Sequence, residues 1–334
     1  AHFFARIQLS MEAGFVVILQ VAIFLAGLAV LSWSADKFVY GASALARNIG
    51  ISPMMIGLTI VAMGSSAPEI VVSAVASING NPNTAVGNAL GSNITNIGLV
   101  LGVTALIKPL LVSSSTLKRE FPLLLVINLI AVYFLYDGEL SSLEGIILIL
   151  LFIFVLAGMA WISLLVDKGD PLMNETSDEI PQAVETSHAV IWIGLGLVLL
   201  PVSAQFMVES AVHIARHFGM SDLVIGLTII ALGTSLPELA ASVAGVLKGE
   251  DDLALGNVIG SNIFNLLAVL GMPGLIAPGM LDENAAHRDT LVMLGLTLLL
   301  LVFSFNFRGT RRINRVEAAL LVGCYLVYQY WLFA

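Results

Sequence analysis

Apolar residues run along this chain in long blocks, and polar residues collect between them. The blocks at 14–33, 53–79, 83–107, 119–137, 142–165, 189–217, 222–248, 252–277, 288–306 and 315–333 each approach or exceed the roughly 20 apolar residues that cross a bilayer as a helix. They predict ten transmembrane helices. The stretch from Ser34 to Gly50 is amphipathic, so it either prolongs the first helix or lies at the membrane surface. Composition points the same way: 58% of residues are hydrophobic and only 11% charged, against about 25% charged in soluble domains.

The blocks come in two sets. At an offset of 169 residues, Gly57–Gly102 matches Gly226–Gly271 at 22 of 46 positions without a gap. Pro109 then meets Pro278 and Arg119 meets Arg288 before the pairing slips. The repeating unit holds five helices, far more than the unit of a solenoid. Five is odd, so a second unit enters the membrane from the opposite side, the inverted-repeat plan of secondary transporters. The fold expected is an all-α integral membrane protein of ten transmembrane helices, arranged as two inverted five-helix repeats. The first repeat is placed at 11–165 and the second at 189–334.

Charge adds an orientation. Net charge is −9, and much of the excess sits in 166–188, which carries Asp167, Asp170, Glu175, Asp178, Glu179 and Glu185 against one Lys168. This segment reads as a solvated linker. With the N-terminus outside, one side of the membrane collects Lys37, Arg47, Lys108, Lys118, Arg119, Lys168, Lys248, Arg308, Arg311, Arg312 and Arg315, leaving the other Arg6, Arg216 and Arg288. Cytoplasmic loops favour Lys and Arg, so linker 166–188 is expected in the cytoplasm and both termini outside. Residues 1–10 lack a signal-peptide layout and are expected to be an added segment ahead of a natural start at Met11. The single Cys324 excludes a disulfide framework.

The chemistry sits where the repeats agree best. "GLTIVAMGSSAPEI" (57–70) and "GLTIIALGTSLPEL" (226–239) each place a glutamate, Glu69 or Glu238, inside an apolar run. A mid-membrane acid costs about 2.5–3.5 kcal/mol on insertion scales. Gly64 with Pro68, and Gly233 with Pro237, weaken helix continuity just ahead of each acid and free backbone carbonyls. Ser65 and Thr234 lie one helical turn before the glutamates. The following runs, "GNALGSNITN" (87–96) and "GNVIGSNIFN" (256–265), add Ser92, Asn96, Ser261 and Asn265. If the repeats face each other, these oxygens converge near the midplane.

Hard cations want such ligands: Ca²⁺ takes 6–8 oxygens from carboxylates, amides and carbonyls. Two carboxylates match the charge of one Ca²⁺ or two Na⁺. Packing alone explains Gly87-xxx-Gly91 and Gly256-xxx-Gly260 as close helix approaches, but it does not require paired buried acids. Asp36, Glu144, Glu209 and Glu317 fall near helix ends and read as interfacial. His188, His213, His217 and His287 have no ligand spacing.

With "GSSAPE", "GTSLPE", "GNALGSNITN" and "GNVIGSNIFN", the chain resembles the two alpha-repeats of the cation/calcium antiporter superfamily, sodium/calcium exchanger type. It looks most like bacterial inner-membrane members with a short central loop. The resemblance implies Ca²⁺ efflux driven by Na⁺ entry through alternating access, no cofactor, and ion ligands at Ser65, Ser66, Glu69, Ser92 and Asn96 and at Thr234, Ser235, Glu238, Ser261 and Asn265. It also implies backbone carbonyls at Ala62 and Ala231. Asn265 stands where several exchangers of this type carry aspartate, which leaves stoichiometry, K⁺ dependence and the driving ion open.

The partners expected are Ca²⁺, Na⁺ and the lipid bilayer, with the chain working as a monomer. A Ca²⁺/H⁺ or other cation/H⁺ antiporter is the alternative, and a cation channel a further one. An intramembrane enzyme has little to stand on, since no histidine or lysine base accompanies the clusters. No basic face suggests nucleic acid.

Overall fold

The computed structural model describes residues 2–51, 56, 60, 62–112, 117, 120–165, 184–248, 251–305 and 312–334. Helix α1 (His2–Asn48) is continuous, so the amphipathic stretch after Ser34 prolongs the first helix. Nothing in that stretch breaks a helix, and Ser34, Ala35 and Ala44 bury one face of it. Its apolar part, Phe15–Asn48, is about 50 Å long at 1.5 Å per residue. A bilayer core is roughly 30 Å thick, so the helix must tilt or emerge from it.

Helix α2 (Ala62–Gly64) and α3 (Ala67–Ile78) follow, then α4 (Pro82–Ile107), strand β1 (Leu110–Leu111), α5 (Phe121–Leu135), β2 (Glu139–Leu140) and α6 (Ser142–Leu165). The second half runs α7 (Thr186–His217), α8 (Asp222–Thr234), α9 (Leu236–Lys248), α10 (251–276), β3 (Gly279–Met280), α11 (Ala285–Phe305), β4 (Arg312–Ile313) and α12 (Arg315–Phe333). Among the described residues, seven helices are long and apolar enough to cross a membrane, or eight if α8 and α9 form one bent span. α3 and α5 are apolar but shorter. Most of the sequence from 52 to 61 lies outside the described residues, as do linker residues 166–183 and the basic residues Lys118, Arg119, Lys168, Arg308 and Arg311.

α4 and α10 occupy the middle, with most of their apolar lengths buried. α1, α6, α7 and α12 turn Phe15, Phe154, Leu197 and Tyr330 outwards, as a lipid-facing surface does. α7 lies along α1. A Cβ on Gly27 would sit 3.3 Å from Met207 N, and one on Gly196 would sit 2.6 Å from Phe38 Cβ. These contacts are images of each other at the 169-residue offset, since 27 pairs with 196 and 38 with 207. α1, α3 and α7 share one apolar core, while α4, α5, α6, α10, α11 and α12 share another.

The loops sort into two ends. At one end β1 pairs with β4, Leu110 against Ile313. There Lys108 Nζ donates to Asp251 Oδ1 at 3.0 Å and Arg315 to the Leu106 and Ile107 carbonyls. At the other end β2 pairs with β3, Glu139 against Met280. There Asp282 N–H donates to Asn83 Oδ1 at 2.9 Å and Thr84 Oγ1 to the Asp222 carbonyl at 3.0 Å. α4 runs from the Asn83 end to the Lys108 end, and α10 runs the other way. Two of the interfacial acids prove to be caps. Glu144 accepts from Ser141 N–H at 2.8 Å, and Glu317 forms a capping box with Asn314 at the start of α12.

Candidate functional site

Each of the two repeated acids begins a helix. α2 stops at Gly64, Ser65 and Ser66 form a turn, and α3 restarts at Ala67 with Pro68 in its first turn. A first-turn proline loses no helical hydrogen bond, because that N–H has no partner in a helix anyway. The prolines therefore start new helices. In the second half α8 ends at Thr234, Ser235 is the joint, and α9 leaves at a bend of 40°. Glu69 and Glu238 thus fall in first turns, where free N–H groups and the helix dipole favour negative charge. This local arrangement offsets part of the cost of burying an acid.

The structure buries most of the predicted residues. Ser66, Glu69, Ser92, Asn96, Ala231, Thr234, Ser235, Glu238, Ser261 and Asn265 are all buried, and Ser65 is half-buried. Ser65 Oγ lies 3.3 Å from Ser261 Oγ, a contact between the halves. Thr234 Oγ1 donates to Ile230 O at 3.1 Å and reaches Asn88 Oδ1 at 3.5 Å. Ser92 Oγ reaches the same Asn88 oxygen at 3.5 Å.

The hydrogen-bond ledger of these residues is incomplete in one direction. Buried oxygens without a partner include Ser66 Oγ, Glu69 Oε2, Asn96 Oδ1, Ser235 Oγ, both Glu238 oxygens and Asn265 Oδ1. Native proteins rarely leave buried polar atoms unpaired. Seven such oxygens lie on residues that the sequence singled out as candidate cation ligands. Among the described residues no three of His, Cys, Asp and Glu converge, so ligands beyond the two carboxylates must be hydroxyl, amide or backbone oxygens. That set suits Ca²⁺ or Na⁺ and excludes a thiolate site.

The two alanines fit less simply. Ala231 O already accepts Ser235 N–H at 3.1 Å and the Thr234 hydroxyl at 3.4 Å, leaving it little to offer an ion in this conformation. Ala62 is described only as the first residue of α2. The carbonyls that Pro68 and Pro237 release are those four residues earlier, at Gly64 and Gly233.

Three asparagines escaped the sequence reading. Asn88 Nδ2 donates to Glu69 O at 3.2 Å and Ser73 Oγ at 3.1 Å, tying α4 to α3. Asn93 Nδ2 donates to Asn262 O at 3.1 Å, and Asn262 Oδ1 accepts from Asn96 Nδ2 at 3.0 Å. Their signal was present: "GN" and "SN" recur in both repeats, and asparagine is rare in apolar helices. Below Asn96 and Asn265 the backbone widens into π-turns, Asn96–Leu101 and Asn265–Val269. Such bulges recur at functional sites, and no residue pattern announces them.

Comparison with known proteins agrees with this geometry. The model of the family described as sodium/calcium exchanger protein matches residues 19–161 and 188–334. The chain is 58% identical to CaxA of Alkalimonas amylolytica, provisionally named an antiporter, over 93% of this chain and 97% of that one. It is 42% identical to the inner membrane protein YrbG of Escherichia coli, over 94% and 98%. Among solved structures it superposes on the sodium-calcium exchanger NCX_Mj with a TM-score of 0.61 and 34% identity, covering 93% of this chain and 97% of that one.

Proposed function

Because the chain belongs to the sodium/calcium exchanger family, a family of membrane antiporters and not of enzymes, we propose that it exchanges Ca²⁺ for Na⁺ by alternating access. The ions bind near the bilayer midplane between two inverted five-helix repeats, 11–165 and 189–334. The observation that carries this reading is the set of unpartnered buried oxygens on Ser66, Glu69, Asn96, Ser235, Glu238 and Asn265. Ser65, Ser92, Thr234 and Ser261 complete the ligand set, with Ala62 offering its carbonyl and Ala231 offering one only once its turn rearranges.

The inverted arrangement draws support from the antiparallel run of α4 and α10 and from image contacts such as Gly27–Met207 and Phe38–Gly196. Cross-loop bonds keep to two ends, and we assign these ends to the two sides expected from the positive charges. The Lys108 end is then cytoplasmic, along with linker 166–188, and both termini lie outside. The inner membrane is the expected location, and the monomer is the working unit.

Coupling follows from charge. Two carboxylates in dry surroundings repel strongly and are costly to move unneutralised. One Ca²⁺ cancels them, and so do two Na⁺. Only the loaded site can pass between the two faces cheaply, so one ion must be traded for another. The second reading, Ca²⁺/H⁺ exchange, rests on Asn265: with a neutral amide there, two protons would balance the acids as well as two Na⁺. Ca²⁺ uptake into proteoliposomes under separate outward Na⁺, K⁺ and H⁺ gradients tests the assignment. Uptake driven by Na⁺ is expected, and uptake driven by H⁺ alone would select the second reading.

A further inference from the structure

The two ends of the molecule carry the same small ribbon with opposite charge. β1 and β3 are repeat mates, since 110 and 111 become 279 and 280 at the 169-residue offset. At the Lys108 end Leu110 and Ile313 are buried, while Leu111 and Arg312, paired across the ribbon, are exposed. At the Asn83 end Leu140 is buried, while Met280 and Glu139, also paired, are exposed. Residues directly opposite each other share one face of a ribbon. Each ribbon therefore turns one apolar and one charged side chain outwards, side by side. The same ribbon forms with arginine or with glutamate, so its folding does not require either charge.

The loops around each ribbon follow its sign. Residues 106–120 and 306–317 hold seven basic side chains against Glu120 and Glu317. The neighbouring turn 248–252 adds one basic and three acidic residues, which leaves this end eight to five, a net positive end on a chain of net charge −9. At the other end 136–144 and 279–288 hold five acids against Arg288. Lys108 is spent on Asp251 Oδ1 at 3.0 Å. Arg315 is not spent in this way: its Nε and Nη2 donate to the Leu106 and Ile107 carbonyls at 3.0 and 3.1 Å. Those neutral partners fix the guanidinium and leave its charge. Arg312 and Arg315 are both exposed, and neither enters an ion pair among the described residues. Ile107, Leu111 and Val316 beside them are exposed apolar side chains.

We infer that the outward face of the β1–β4 ribbon seats an anionic phospholipid from the membrane leaflet at the Lys108 end. Its phosphodiester lies on the Arg312 and Arg315 guanidiniums, whose planar forks of donors match phosphate oxygens. Its acyl chains run over Leu111, Ile107 and Val316. The bilayer around the chain supplies this occupant, and basic groups just beyond apolar helices draw anionic headgroups to them. The tendency of Lys and Arg to collect on one side of a membrane accounts for the number of charges in these loops. It does not place an arginine beside an outward leucine. The ribbon joins the end of α4, which carries Ser92 and Asn96, to the start of α12, so the lipid steadies the far end of a helix with two proposed ion ligands. The inference rests on the chain's place in a membrane and not on the ion exchanged.

The test is lipid binding by the purified chain in detergent, read by native mass spectrometry. The probes are phosphatidylglycerol and phosphatidylcholine of equal chain length. Two arginines at about fivefold each predict that phosphatidylglycerol binds roughly twentyfold more tightly. Arg312→Gln should weaken its binding about fivefold, Leu111→Gln should weaken it too, and added salt should weaken it further. Both positions are exposed, and a thermal unfolding curve checks that each variant is folded. Glu139→Gln, on the image ribbon, should bind as the parent does. Equal binding of the two lipids, an Arg312→Gln variant that binds like the parent, or an equal loss in Glu139→Gln would overturn the inference. Displacement of phosphatidylglycerol by an equal concentration of glycerol phosphate would overturn it in favour of a free phosphate. Binding that appears only after Asp178→Asn and Glu179→Asn would overturn it in favour of the acidic linker as the occupant.

Discussion

Asn93 and Asn262, 169 residues apart, each reach the other's backbone: Asn93 Nδ2 donates to Asn262 O at 3.1 Å, and Asn262 Nδ2 lies 3.5 Å from Asn93 O. Repeat mates that bond reciprocally mark the line about which the halves are related. Asn262 does one thing more, accepting from Asn96 Nδ2 at 3.0 Å, while the Asn96 oxygen is left without a hydrogen-bond partner. Removing a buried amide that bridges helices costs about 1–3 kcal/mol. Asn93→Ala and Asn262→Ala should both lower the thermal midpoint in detergent. Only Asn262→Ala should also weaken Ca²⁺ binding, by roughly tenfold if about 1.4 kcal/mol of ligand orientation is lost. Equal Ca²⁺ affinity in the two variants would separate Asn96 from the ion.

Glu69→Gln and Glu238→Gln keep size and remove charge. Each should abolish Ca²⁺ transport while leaving the protein inserted and folded, because an amide is less costly than a carboxylate within the membrane. The check is transport beside a thermal unfolding curve. Full exchange by both single variants would refute the site.

The sequence made the repeats, the two glutamates and their hydroxyl neighbours legible, since a polar cluster inside an apolar run has few structural explanations. The break at Ser65–Ser66 was only half legible. Pro68 and Gly64 announced a weakness, but whether proline kinks a helix or starts a new one depends on where the preceding helix stops. Asn88 was not singled out, because its bonds to Glu69 O and Ser73 Oγ depend on how α4 lies on α3. The length of α1 was open for the same reason: Ser34–Asn48 could lie on a membrane or along α7, and Gly41 and Gly196 favour the second by letting the helices close.

A cysteine introduced within 166–183, in a Cys324→Ala background, should react with an impermeant thiol reagent from the cytoplasmic side only. Right-side-out and inside-out vesicles give the comparison. Labelling in right-side-out vesicles would reverse the orientation drawn from the charges.

In the proposed site, Asn265→Asp adds a third carboxylate to the two that one Ca²⁺ would neutralise. The extra negative charge makes room for one more monovalent cation. Na⁺ competition against bound Ca²⁺ should become steeper in the variant, read as a higher Hill slope. Superimposable competition curves, with the variant folded, would place Asn265 away from the ions.

The account stands most directly on coupled flux. Proteoliposomes loaded with Na⁺ and diluted into Na⁺-free medium should accumulate radiolabelled Ca²⁺. The same vesicles loaded with K⁺ at equal pH should not, and Glu69→Gln should abolish the Na⁺-dependent component. Ca²⁺ entry that ignores the Na⁺ gradient, or that persists undiminished in Glu69→Gln, would contradict it.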